Sequence, residues 1–73
     1  MIVVNTIDVG RPYHVISLVS SGGVAYSDSY AVQLMIQNAT AMDADAIVNV
    51  RISYSFHGIN LNYHAYGTAV KFI

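Results

Sequence analysis

Two spacings of apolar residues organise this chain, one of period two and one of helical period. From residue 46 to 56, Ala46, Val48, Val50, Ile52, Tyr54 and Phe56 alternate with Ile47, Asn49, Arg51, Ser53 and Ser55. The alternation predicts a strand whose first set meets a helix, while the face with Asn49 and Arg51 points away. Upstream, Val32, Met35, Ile36, Ala39 and Met42 fall on one helical stripe, with Gln33, Gln37, Asn38 and Thr40 toward the other side. Ser27, Asp28 or Ser29 can cap that helix, because each offers a short side-chain oxygen to the free N–H groups of a first turn. Asp43-Ala44-Asp45 closes it without a lysine or arginine in the last turn, a mildly unfavourable charge at the negative end of the dipole.

The flanking segments read as strands. Ile2 to Val9 is rich in β-branched residues and stops at Gly10-Arg11-Pro12, where proline has no N–H for a ladder bond. Tyr13 to Val19 resumes the pattern and runs into Ser20-Ser21-Gly22-Gly23, read as a flexible turn. His57-Gly58-Ile59-Asn60 suits a hairpin loop, and Leu61 to Ile73 suits a final strand in which Gly67 marks a bulge or a close backbone approach. The predicted order is β-β-α-β-β, an α+β fold with an antiparallel sheet and one helix packed on one face, residues 1–73 forming a single domain.

Composition changes this picture in one respect. The chain is 55% hydrophobic and 10% charged, has no glutamate and no cysteine, and carries a net charge of −1. A domain of this size buries only roughly 60% of its unfolded surface, so a helix across one sheet face leaves apolar side chains uncovered. A homo-oligomer is therefore expected, with valine- and isoleucine-rich edges sealed against a neighbour. No apolar run approaches the roughly 18–20 residues of a membrane span, and the start lacks a signal-peptide pattern. The absence of a basic cluster argues against a nucleic-acid partner. A cytoplasmic setting is the default expectation.

The stretch Asp45-Ala46-Ile47-Val48-Asn49-Val50-Arg51-Ile52-Ser53-Tyr54, with Gly67-Thr68-Ala69-Val70-Lys71, resembles the YbjQ-like family. That family typically carries a Gly-Ala-Asp-Ala-Val/Ile-Val-Gly-Val-Arg strand and a C-terminal Gly-Thr-Ala-Val segment. Ile2-Val3-Val4, Gly10-Arg11-Pro12 and Val19-Ser20-Ser21-Gly22 look like its first hairpin. Two family glycines are replaced here, by Asp43 and Asn49, and the charged helical region is shorter. The resemblance implies a dodecin-like subunit in a ring, most often a pentamer, and a heavy-metal-binding label. It implies little else about function.

Chemistry is sparse. His57, His64 and His14 are the metal candidates, with His57 and His64 able to approach if the hairpin register sets them opposite. No HxH or HxxxH spacing supports them, and surface or interface histidines are the plainer reading. Asp43, Asp45 and Arg51 can form a polar site beside the helix end, or a turn with a salt bridge between subunits. Tyr63 and Tyr66 join apolar area to a hydroxyl and suit an interface or, in a dodecin-like ring, the lining of a small-ligand pocket. No nucleophile–base pair or cofactor fingerprint is visible, so no catalytic residue or cofactor is assigned. The expectation is a non-enzymatic ring former of structural or scaffolding role; the alternative is a metal-ion or small-ligand binder with sites at subunit boundaries.

Overall fold

A computed structural model describes residues 1–23 and 25–73, His57 by its backbone alone. In chain order the elements are strand β1 (Ile2–Val3), strand β2 (Tyr13–Ser20), helix α1 (Asp28–Ala41), strand β3 (Ala46–His57) and strand β4 (Asn60–Phe72). The α+β class and the β-β-α-β-β order are as expected. The strands share one sheet in the order β1-β3-β4-β2. β4 runs antiparallel to both β3 and β2, so those two are parallel to each other, with β4 between them and α1 as their connection.

β1 pairs parallel with β3, Ile2 opposite Ala46 and Val3 opposite Ile47. The sheet is therefore mixed, which corrects the expected all-antiparallel arrangement. β1 and β2 lie at opposite edges instead of forming a hairpin. What carries the chain between them is apolar anchoring: Val4, Val9 and Tyr13 pack with Phe72 on Ala46, Val48 and Val70, a cluster to which the helix contributes nothing. The segment from Val4 to Pro12 thus crosses the sheet on the face away from α1.

The expected strand from Ile2 to Val9 shortens to two residues because its partner bulges. Register slips in β3 between Val48 and Arg51, and Asn49 adopts φ 54°. The N–H of Asn49 donates to Thr6 O at 2.8 Å and that of Val50 to Val4 O at 3.0 Å, following the bulge rather than a regular ladder. The bulge also resets the alternation in β3. Ahead of it, Ile47 faces the helix while Ala46 and Val48 face away. Beyond it, Val50 packs on the helix side, and Ile52 shares that side with its cross-strand partner Ala65. The predicted single apolar face of residues 46–56 is thus two half-faces, and Ile47, expected to point away, is fully buried under α1.

Ser27 caps α1, its Oγ accepting from Tyr30 N–H at 3.1 Å. The buried helix positions are Ala31, Met35 and Ala39, while Met42 is exposed. Val32 and Ile36 are half-buried against the same cluster, so four of the five predicted stripe residues face the core, and the stripe gains Ala31 and loses Met42. Small residues dominate the interior: among the described residues, six of eleven buried hydrophobics are alanine, and fifteen large hydrophobics are exposed.

The body measures 45 × 22 × 16 Å, and its length comes from the β3–β4 hairpin. β2 pairs with β4 only from Tyr66 to Phe72, so Ile52–His57 and Asn60–Ala65 continue as a two-stranded ribbon. Part of the β4 side is lined by the segment after β2. Ser21 N–H donates to Ala65 O at 2.7 Å, Ala65 N–H donates to Ser21 Oγ at 3.1 Å, and Tyr63 N–H donates to Ala25 O at 2.8 Å. Asn38 Nδ2 donates to Ser20 O at 2.8 Å. The turn expected at Ser20–Gly23 is therefore fastened at its first two residues, and Ser21 is buried.

Candidate functional site

The densest polar cluster sits where α1 ends. Ala44 N–H donates to Ala39 O at 3.1 Å and Asp43 N–H to Thr40 O at 3.0 Å, a Schellman closure with Asp43 at φ 60°. That turn brings Asp43 and Asp45 to Lys71 on β4. Lys71 Nζ lies 3.2 Å from Asp43 Oδ2 and 3.5 Å from Asp45 Oδ1, and donates to Asp43 O at 3.1 Å. The other oxygen of Asp45 accepts from Phe72 N–H at 2.8 Å. This backbone hydrogen bond, aided by the Lys71 charge, holds the Asp45 carboxyl below its ordinary 3.8. Hydrogen bonding to Asp43 and the charges of both aspartates raise Lys71 above 10.5. The unfavourable charge at the helix end is thus met within the chain, by a lysine that is distant in sequence.

Arg51 does not join this cluster. Its guanidinium donates to Asn5 O at 2.8 Å and to Val50 O at 2.9 Å, tying the N-terminal segment to the β3 bulge. Arg11 lies over the Phe72 ring, 4.3 Å from its centroid. Each of the chain's three cations therefore has an intramolecular role.

The histidines are dispersed. His57 pairs with Asn60 and His64 with Ser53, so the register separates them by four positions along β3, about 13 Å at strand spacing. His14 pairs with Lys71, seven positions along β4 from His64, or about 23 Å. Among the described residues no three His, Asp or Glu side chains converge, and the chain has no cysteine. Soft heavy-metal ions favour thiolate and imidazole sets, so the donors described within one chain do not fit such an ion.

The tyrosines divide between the two faces. Tyr63 packs on the helix-side core and lies 6.3 Å from the Tyr54 ring, tilted by 51°. Tyr66, 46% exposed, borders a shallow groove of about 240 Å³ on the opposite face, lined with Leu18, Val19, Ser20 and Gly67. Sequence reasoning missed this groove, and its signal was the parity of Leu18 against the strand it pairs with. It also missed Asn62, which is 5% exposed and whose side-chain oxygen has no hydrogen-bond donor among the described residues. No helix among the described residues is long and apolar enough to cross a membrane.

No protein of curated function matches the chain. Among solved structures, the chain is similar to a protein of unknown function from Pediococcus pentosaceus assigned to the DUF74 family. The TM-score is 0.75 at 20% identity, over 100% of this chain and 98% of that one. This likeness establishes the fold. The family model described as "Putative heavy-metal-binding" matches residues 23–73, from the segment before α1 through the whole β3–β4 hairpin: the chain belongs to the YbjQ-like family.

Proposed function

We propose that this chain is a non-enzymatic subunit of a homo-oligomeric ring with a structural or scaffolding role. One observation carries the reading: the interior is built largely of alanine while leucine, isoleucine, phenylalanine and tyrosine side chains stand in solvent. Leu18 is 79% exposed, Phe56 68% and Tyr54 66%. Burying a large apolar side chain stabilises by about 1.5–3 kcal/mol, and a core of alanines forgoes most of that gain. Association recovers it without enlarging the subunit. Family resemblance supports a pentamer as the ring size. Light scattering on the purified protein tests the reading: the expected mass is a multiple of 7.9 kDa. A stable monomer at micromolar concentration overturns it.

A second reading takes its support from the family description. A metal ion or small ligand would then sit at subunit boundaries, with His14 or His64 and residues of a neighbouring copy completing a set that one chain lacks. Zinc and nickel titrations of the assembled protein test this, and heat-silent titrations with both ions defeat it.

A further inference from the structure

Six of the fifteen exposed large hydrophobics fall in two separate patches, and their placement suggests how copies would meet. The first is the groove beside β2 and β4, with Leu18 79% and Tyr66 46% exposed, continued along the same face by Val15 at 65%. Pairing of Val15 with Val70, Leu18 with Thr68 and Ser20 with Tyr66 puts all of these on the face away from α1. The second patch lies on the helix-side face of the projecting ribbon, where Ile52, Tyr54 and Phe56 are 45%, 66% and 68% exposed. The patches lie on opposite faces, one concave and one on a protruding strand pair.

We infer that the ribbon patch of one copy, Ile52, Tyr54 and Phe56, docks in the Leu18–Tyr66 groove of the next, giving a head-to-tail contact. This rests on the oligomer reading and adds its surfaces. Three observations select a second copy of this chain as the occupant. Because the patches lie on opposite faces, a two-fold contact that presses one face on its own copy leaves the other patch exposed, whereas a head-to-tail contact covers both in every subunit. By side-chain size each patch presents on the order of 400 Å², so one docking event removes about 800 Å² from the two, the size of a weak contact that a closed ring repeats at every subunit boundary. No residue named in either patch is charged, and Arg51, the cross-strand neighbour of Tyr66 at the groove's border, already donates to Asn5 O and Val50 O.

The test uses complementation between Leu18→Asp, which spoils only the groove, and Phe56→Asp, which spoils only the ribbon. Both side chains are largely exposed, so each variant keeps the circular-dichroism spectrum of the parent; Leu18→Lys and Tyr54→Lys replace any variant that does not. Each variant alone is expected at 7.9 kDa by light scattering, with association at least tenfold weaker than the parent's. An equimolar mixture is expected to form a one-to-one dimer and nothing larger, because one intact groove then meets one intact ribbon. A variant that assembles alone, or a mixture that stays monomeric, overturns the pairing while leaving a multimeric parent protein intact. A monomeric parent overturns the oligomer reading itself.

Discussion

Gly67 and Ile47 approach so closely across β3 and β4 that a Cβ on Gly67 would lie 2.8 Å from Ile47 Cγ2 and 3.0 Å from Val48 O. Ile47 is fully buried and Val48 O is backbone, so neither yields easily. Gly67→Ala is expected to destabilise by about 1–3 kcal/mol, the cost of overpacking a filled interior. The urea midpoint measures it. Combining Gly67→Ala with Ile47→Ala should cost less than the two single changes summed, since the shorter side chain vacates the clash.

Ser21 gives a second prediction. Its Oγ accepts the Ala65 N–H in a buried setting, at 3.1 Å. Ser21→Ala leaves that N–H unpaired, a loss of about 1–3 kcal/mol. Ser21→Thr retains the acceptor, so it should recover part of the loss. Hydrogen exchange at Ala65 reads the effect directly and should accelerate in the alanine variant alone.

Among the described residues, two that are not glycine have positive φ, Asp43 at 60° and Asn49 at 54°. A left-handed backbone costs most L-residues roughly 1–2 kcal/mol, least for Asn and Asp. Asn49→Ala should therefore lower stability by about 1 kcal/mol, with Asn49→Gly within about 0.5 kcal/mol of the parent. Asp43→Gly relieves the backbone but loses an exposed, solvent-screened ion pair with Lys71, so the two effects should nearly cancel. Thermal or urea unfolding of the three variants checks the ranking.

Acid should weaken the fold through Asp45. Its carboxyl is held low, first by the Phe72 N–H and then by Lys71, so the ionised form stabilises the folded chain above 3.8. That contribution disappears as the pH falls through the lowered folded value. Lys71 works in the opposite direction: its pKa is raised, so its contribution is present below 10.5 and fades as the pH rises through the higher folded value. The stability gap between parent and Asp45→Asn should shrink as the pH is lowered below 3.8. A gap that stays constant down to pH 2 would contradict the linkage.

Much of the architecture was legible because it depends on local chemistry. Serine at the helix start, glycine and proline between the first strands, and a glycine within the last strand each signalled the feature found there. The β3 bulge was not legible from the residues alone. Asn49 reads as one more polar position in an alternating strand, and only its left-handed backbone shifts the residues before it to the other face. The partner of the aspartates escaped for a related reason. Arg51 is nearer in sequence, but β4 register delivers Lys71 to the helix end while the bulge turns Arg51 toward Asn5. The inward place of Ala31 was hidden because alanine carries too little hydrophobicity to stand out beside Val32 or Met42 in a periodic count.

The N-terminal strand has a consequence for the order of events in folding. Ile2 meets Ala46 across more than half of the sequence, whereas the β3–β4 hairpin closes over a short loop. Contacts of such different range form on different timescales, the long one last. Until it forms, the outer border of β3 is open from Ala46 to His57, and open borders recruit foreign strands. The first residues of the chain therefore act as a tethered stopper, closing half of that border from within.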